Sequence, residues 1–381
     1  MVEIIGLTGL RPTNPKVVSS PPYDVIKPGT ELESSLNDNK DSIFHVILGD
    51  NPKVALNMLI ENGLLQEDSE PAFYVYEQTY PEGTRTGVFV AAEVTNYSEK
   101  QIIRHEKTFD EKVKGRLNLR QVTGYSFGPV FLLTKSIITP VLERVKIKEP
   151  DYEFTSEFIG KTDLNNIKNR IWRVLEDSAL GRELKILIGL NPLYIADGHH
   201  RYHTSLRNKQ SHFLAYIVED AKILAYNRVI KPPIPFKSIK ENLALIPLTE
   251  FSTPEKHNFC IYSKDGTWLM PAQQVPEDVV ERLDCSILEH EFYSKLGLTH
   301  SMITNQKIFD YFPETQLEQM KEAVDSGKFE IAVALPPVSI QELMAVADAG
   351  LINPEIVMPE KSTFFSPKIL TGLFVYKHST R

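Results

Sequence analysis

Cysteine is scarce: Cys260 and Cys285 are the two in 381 residues, far apart and outside any paired metal-ligand pattern. That excludes a disulfide framework and suits two buried thiols in a reducing compartment. Cations are outnumbered as well, 42 Lys and Arg against 50 Asp and Glu, and the net charge of -8 argues against the broad basic face that nucleic acid requires. No apolar run approaches the ~20 residues of a membrane span. There is no internal repeat and no low-complexity tract. The first residues, "MVEIIGLTGLRPTNPK", lack a cationic stretch followed by an apolar core and a cleavage site. Secretion is therefore not expected, and a cytoplasmic location is.

What is present reads as a mixed α/β (α+β) globular chain long enough for two or three domains. A strand at "VEIIGLTGL" enters a turn-rich loop, and residues 31–66 look helical and mixed, with an amphipathic stretch after Asn51-Pro52. "AFYVYEQTYPEGTRTGVFVAAEVTNY" has the alternation of a hairpin. "KQIIRHEKTFDEKVKGRLNLRQVTG" passes from a strand through a charged loop into a helix, and "PVFLLT" and "ITPVLERVKI" continue the alternation. The spacing in residues 161–190 predicts a helix, followed by strands at 193–196 and "HFLAYIVE". Proline-rich residues 231–255 mark a boundary. Beyond it "PEDVVERLDCSILEHEFYSKLGL", "TQLEQMKEAVDSG" and "SIQELMAVADAG" read as helices around the strand "FEIAVAL".

The strongest chemical signal is "LYIADGHHRYHTSL". A buried strand turns at Asp197-Gly198 and a helix begins, placing His199, His200 and Arg201 in its first turn. Cations are disfavoured there, where the helix dipole is positive and N–H donors are unpaired, so a phosphate or carboxylate is expected beside them. Arg201 can grip a phosphate bidentately, or pair with a carboxylate. Asp197 can cap the helix, hold a divalent cation or orient a histidine. His199 and His203 have the i,i+4 spacing of a zinc pair, without the intervening glutamate or a third ligand.

Three further segments carry polar groups on rigid or apolar supports. In "RHEKTFDEKVKGR" the residues Asp110–Lys114 read as a solvated loop. His105 and Glu106 sit at a strand end, where open sheets place their sites, and Glu106 is a candidate general base. Two prolines in "SPPYDVI" stiffen the loop bearing Tyr23 and Asp24. In "PEKSTFFSPK", Lys361, Ser362 and Thr363 resemble the end of a P-loop without its glycines, and could meet an anion through their side chains.

Together "RPTNPKVVSSPPYDVI", "IIRHEKT", "YIADGHHRYHTSL" and "MPEKSTFFSPKILTGL" resemble, in this order, segments of the domain-of-unknown-function 1015 family. One departure is "AYNRVI", where the family commonly has a proline-threonine-histidine-arginine run: Arg228 is kept and Asn227 replaces the histidine. The "DGHHR" loop is further similar to that of free-serine kinases on a ParB/sulfiredoxin-like fold. The resemblance implies a ParB/sulfiredoxin-like core over residues 146–235, preceded by an α/β part over 1–145 and followed by a helix-rich part over 236–381. It also implies Mg²⁺-dependent phosphoryl transfer from ATP, ADP or pyrophosphate to free L-serine. Gly198, His199, His200 and Arg201, with Lys361, Ser362 and Thr363, would then bind phosphate. Asp197 would hold Mg²⁺ or fix a histidine, and Glu106, with His105 close by, would take the serine proton. Arg11, Tyr23, Asp24 and Arg228 would contribute to substrate binding. Two other classes stay open: a nucleotide-binding regulatory module without turnover, and a metal-dependent hydrolase using His199 and His203. The expected partners are these small molecules, with neither nucleic acid nor membrane, and the oligomeric state is open.

Overall fold

The computed structural model describes residues 2–107, 110–160 and 162–378, so Met1, and Thr108 and Phe109 of the charged segment, lie outside the described residues. The chain is mixed α/β and forms two compact units, residues 1–221 with 367–381, and residues 222–366.

The first unit is built on a nine-stranded mixed sheet. Its hairpin, Ala72–Tyr80 with Gly83–Glu93, pairs from Tyr74 opposite Phe89 to Tyr80 opposite Gly83, as the alternation predicts. Toward one side, Gly83–Glu93 pairs antiparallel with His212–Val218, which runs parallel to Val130–Thr134. Leu193–Asp197 then lies antiparallel to Val130–Thr134 and parallel to Ile102–Ile103. The strand bearing "LYIAD" thus ends beside the strand that leads into His105. Strands from both sides of residue 145 interleave in this sheet, so the expected boundary there passes through one hydrogen-bonded layer. One face of the sheet packs the helices Thr139–Val145 and Ala179–Gly189 around Val75, Val90, Trp172, Leu184 and Ile188.

Two expectations in this unit are corrected, one of a helix and one of a loop. Residues 161–190 are not one helix: Ile167–Leu175 is a strand pairing with the hairpin, and only Ala179–Gly189 is helical. Ile167, Asn169 and Ile171 are buried while Lys168 and Arg170 are not, a period of two that outweighs the helical spacing. Asp110–Lys114, expected as a solvated loop, instead opens the helix Asp110–Thr123, with Val113 and Arg120 buried seven residues apart.

The second unit carries, beside its helices, a six-stranded antiparallel sheet in the order Ile246–Leu248, Gly266–Pro271, Asn258–Ser263, Ile331–Ala334, Tyr226–Ile230, Phe309–Pro313. The proline-rich stretch lies inside this unit. Leu317–Asp325 and Ile340–Gly350 are helical as expected, the latter with a capping box from Ser339 and Glu342. "PEDVVERLDCSILEHEFYSKLGL" shrinks to Asp284–Leu288 continued by a π-helical turn, Glu289–Tyr293. Asp278 accepts from the N–H groups of Val280 and Glu281, and Leu283 is extended, so side-chain bonding to the backbone displaces the helix there.

Among the described residues no helix is long and apolar enough to cross a membrane. The main sheet of the first unit also buries a charge: Glu77, 3% exposed at its side chain, accepts from Lys146 at 2.7 Å, from Thr86 at 3.0 Å and from Arg170. Burial works to raise its pKa, and the bonds and charges of Lys146, Thr86 and Arg170 outweigh it, lowering the carboxyl below its usual range. Glu77→Ala is expected to cost about 3 kcal/mol, because two cations lose the carboxylate they share. Urea denaturation checks this, and a loss under ~1 kcal/mol would show the cluster to be solvent-relieved.

Candidate functional site

Leu193–Asp197 runs into Gly198 and the helix His199–Arg207, as the sequence predicts. Gly198 has φ 100, in the region that favours glycine, and a Cβ there would lie 2.7 Å from Arg201 Nε. Glycine therefore permits the turn and leaves room for the Arg201 guanidinium to fold back over the helix start. Arg201 Nη2 donates to Asp197 Oδ2 at 2.7 Å, and Lys368 Nζ stands 3.8 Å from Oδ1. Of the two readings the sequence allows for Arg201, the carboxylate pair is the one formed. Asp197, flanked by two cations, is poorly placed to attract the Mg²⁺ expected of it.

More positive charge gathers here than the motif itself supplies. Arg120 of the helix Asp110–Thr123 is buried and donates to Ser205 Oγ at 2.6 Å, Gln210 Oε1 at 2.7 Å and the Arg201 carbonyl at 2.9 Å. It ties that helix to His199–Arg207. One turn earlier, the Arg116 guanidinium lies 3.7 Å from the centre of the Tyr23 ring. Burial lowers the Arg116 pKa, with Arg201 adding to the shift and Tyr23 and Asp24 opposing it. Burial, then Arg116 and Arg201, pushes Arg120 down to about 9. Tyr23 and Asp24 thus lie beside Arg116, which is itself within electrostatic reach of Arg201. Arg116, Arg120 and Lys368 are the members that sequence reasoning missed. The i,i+4 spacing of the two arginines was the available signal, hidden by reading the start of their helix as a loop.

The second half of the site is a cluster of His105, Glu106 and His199. His199 is 2% exposed and His105 fully buried, with their rings edge to face at 4.5 Å and 87°. The His105 backbone N–H donates to His199 Nε2 at 3.4 Å. That assigns the proton of a neutral His199 to Nδ1, which faces Glu106 Oε2 at 3.5 Å. His105 Nε2 stands 3.8 Å from Glu106 Oε1. Burial pushes His105 down to about 4. Burial, then the neighbouring His105, holds His199 well below its usual value. Both rings are neutral at pH 7, so neither forms an ion pair with Glu106; His199 Nδ1 faces its carboxylate, and His105 packs beside it without a ring hydrogen bond. His200, beside them, is partly exposed.

His105, Glu106 and His199 each offer one ligand atom, all within 4.8 Å of one another, so the three could hold a metal ion. His203 is not among them; it stacks on Tyr97 with ring centres 6.2 Å apart. Two imidazoles and one carboxylate suit zinc or another transition ion, whereas Mg²⁺ takes oxygen ligands. The Mg²⁺ expected from the sequence therefore fits this cluster poorly. A transition ion on His199 Nδ1 would also move the proton to Nε2, against the His105 N–H, and so cost that hydrogen bond.

The remaining candidates are Arg11 of the first unit and four residues of the second. Arg11 pairs with Asp68 at 2.5 Å and lies over the Tyr152 ring at 5.6 Å, so its charge is already answered. Lys361, Ser362, Thr363 and Arg228 belong to the second unit. Ser362 is buried and donates its hydroxyl to the Pro359 carbonyl at 2.6 Å, which commits the proton an anion would need.

A family model described as "Protein of unknown function (DUF1015)" matches residues 4–286. No curated protein matches the chain. Among solved structures, a variant of a free serine kinase in complex with ADP is 14% identical, with 73% of this chain and 87% of that one covered at a TM-score of 0.38. SbnI with a C-terminal truncation, from Staphylococcus aureus, is 11% identical over 74% and 85% of the two chains, also at 0.38. A conserved hypothetical protein from Pyrococcus furiosus is 14% identical over 74% and 92%, at 0.34.

The buried histidines set a pH dependence. Unfolded histidine titrates near 6.5, so between pH 6.5 and about 4 the unfolded chain binds a proton at His105 that the native state refuses. Stability from His105 is complete above pH 6.5 and falls with pH to a floor near 4, about 3 kcal/mol in all. His378, lowered to about 4 by burial, titrates in the same window. His105→Gln should therefore show a slope shallower than wild type by up to about 1.4 kcal/mol per pH unit in urea unfolding from pH 7 to 4.5. Equal slopes would mean that His105 is protonated in the native state. Separately, Gly198→Ala should destabilise by at least about 1 kcal/mol, through backbone strain and displacement of Arg201. An unchanged melting curve would contradict the close approach.

Proposed function

The chain belongs to the DUF1015 family of proteins of unknown function, and we propose that it transfers a phosphoryl group from ATP, ADP or pyrophosphate to free L-serine. The observation that carries this reading is the adjacency of two halves in one unit: Glu106, faced by the neutral His199, and the cation-rich start of the helix His199–Arg207. Phosphoryl transfer asks for little else from a protein, since it depends on placing the acceptor in line and stabilising charge on the phosphoryl oxygens. The resemblance of "ADGHHRY" to the phosphate-binding loop of the serine kinases supplies the choice of acceptor.

In this reading the donor's phosphates meet the N–H groups of the helix start, with Arg201 turning from Asp197 to the phosphate. Arg116 adds charge from the side, and Tyr23 and Asp24 stand next to it. The serine hydroxyl gives its proton to the Glu106 carboxylate as its oxygen forms the new bond to phosphorus. The bond from phosphorus to the leaving oxygen breaks, and AMP, ADP or phosphate departs according to the donor. His199 Nδ1 faces the Glu106 carboxylate throughout, with the His105 ring packed against His199. Mg²⁺ would supply charge neutralisation on the donor's phosphates, whose own oxygens are ligands of the type it takes.

The second reading, a metal-dependent hydrolase, draws on the cluster of His105, Glu106 and His199. It differs from the first in metal content, since it requires about one zinc or similar ion per chain in the purified protein.

The test is steady-state phosphoserine formation with serine, Mg²⁺ and each donor in turn. Glu106→Gln is expected to lower kcat by ~10²–10⁴ while leaving donor KM nearly unchanged. Arg201→Ala should raise donor KM as well as lower kcat. No phosphoserine from any donor overturns the kinase reading, and wild-type turnover in Glu106→Gln moves the base to Asp197 or Asp24.

A further inference from the structure

The hairpin of the first unit buries a polar pair among aromatic neighbours. Gln78 and Arg85 lie directly opposite each other in its register, 0% and 4% exposed. The Arg85 guanidinium lies over the Phe131 ring at 4.8 Å and 5.9 Å from the centre of the Tyr216 ring. Both side chains reach out of the sheet to one short segment. Arg85 Nη2 donates to Gln78 Oε1 and, at 2.6 Å, to the Pro367 carbonyl. Gln78 Nε2 donates to the Lys368 carbonyl at 3.1 Å. Burying an amide and a guanidinium in a sheet is costly unless their hydrogen bonds are made. Here they are made to two successive carbonyls of a stretch outside any helix or strand.

The same stretch is held again a few residues on. Thr371 and Ser20 exchange backbone hydrogen bonds at 2.8 and 3.1 Å, and the Gly372 N–H donates to the Phe127 carbonyl at 2.9 Å. Residues 367–372 are thus pinned at both ends within the first unit. What they carry to the helix start is Lys368. Its side chain is 9% exposed, and its ammonium stands 3.8 Å from Asp197 Oδ1 while Arg201 donates to Oδ2. Two cations on the two oxygens of one carboxylate stand close enough for a single oxyanion to meet both. A Cβ on Gly128 would lie 3.3 Å from Arg201 Nη1 and 3.7 Å from Thr371 Oγ1, so the segment also brings a hydroxyl near the guanidinium.

We propose that Lys368 binds phosphoryl oxygens of the donor beside Arg201, and that Gln78 and Arg85 are the positioning residues that fix its backbone. The clamp acts on the two carbonyls and leaves the four-carbon stem to swing the ammonium from Asp197 to a phosphate. The identity of the anion rests on the phosphoryl-transfer reading above, whereas the placement of Lys368 on its clamp does not.

The experiment is isothermal titration calorimetry of the full chain at fixed ionic strength, with inorganic pyrophosphate and ADP as probes and no serine present. Lys368→Met keeps the length and loses the charge, and is expected to raise the Kd of the tighter probe about tenfold or more. Lys368→Arg should recover much of that loss. Gln78→Met should raise Kd several-fold on its own and have no further effect in Lys368→Met, a pattern that a general loss of stability would not give. If Gln78→Met does not fold, Gln78→Glu takes its place, since it keeps an acceptor for Arg85 and loses the donor to the Lys368 carbonyl. An unchanged Kd in Lys368→Met overturns the contact, as does the absence of saturable binding of either probe. Equal losses from the Gln78 variant with and without Lys368 overturn the positioning role. Binding is read without turnover, so a chain that makes no phosphoserine would sink the kinase reading and leave this result standing.

Discussion

Two imidazoles buried without charge hold the first unit's site together. A protonated pair this close would repel, and neither ring could remain so far from solvent. Neutrality lets His199 accept from the His105 backbone and direct its own proton toward Glu106. The carboxylate is thereby aimed by groups that leave its charge in place. Everything else at the site has to respect that: the strand Ile102–Ile103 must end beside Leu193–Asp197, which the parallel pairing of Leu193 with Ile102 and Tyr194 with Ile103 ensures.

Arginine, by contrast, stays protonated at neutral pH even where burial lowers its pKa, and Arg120 is met by backbone and neutral acceptors. Arg120 reaches a hydroxyl, an amide oxygen and a carbonyl at once. Such a side chain serves as a strut, because its three acceptors come from the helix His199–Arg207 and the turn after it. In the second unit, Arg228 donates to the Tyr226 carbonyl and lies over the Tyr311 ring.

Legibility in the sequence followed the range of the interactions. "LYIADGHHRY" is local, and its strand, left-handed glycine and helix were readable from the residues themselves. His105 and Glu106 could be placed at a strand end for the same reason. Their meeting with His199 could not, since it depends on a parallel pairing across some 90 intervening residues. Ile167–Leu175 is hard to read because its alternation of Ile167, Asn169 and Ile171 with Lys168 and Arg170 is short and lies within a longer stretch whose spacing fits a helix, and only the partner strands decide between them. Arg11 illustrates the opposite failure. A charged residue near a stiff loop looked available, but Asp68, 57 positions later, already holds it.

The pair of Arg201 with Asp197 has a consequence for any anion that arrives. The protein carries its own competitor for the arginine, tethered four residues away and therefore always present at high local concentration. Both side chains are partly accessible, 14% and 34%, and an accessible pair of this kind contributes on the order of 0.2–1 kcal/mol. An incoming ligand has only that small barrier to overcome, a factor of a few in apparent affinity. In its absence the cation is never left pointing at an empty space. In the reading proposed above, Arg201 thus has a resting place close in energy to its phosphate-bound one, so the helix start need not unfold for a donor to enter or leave.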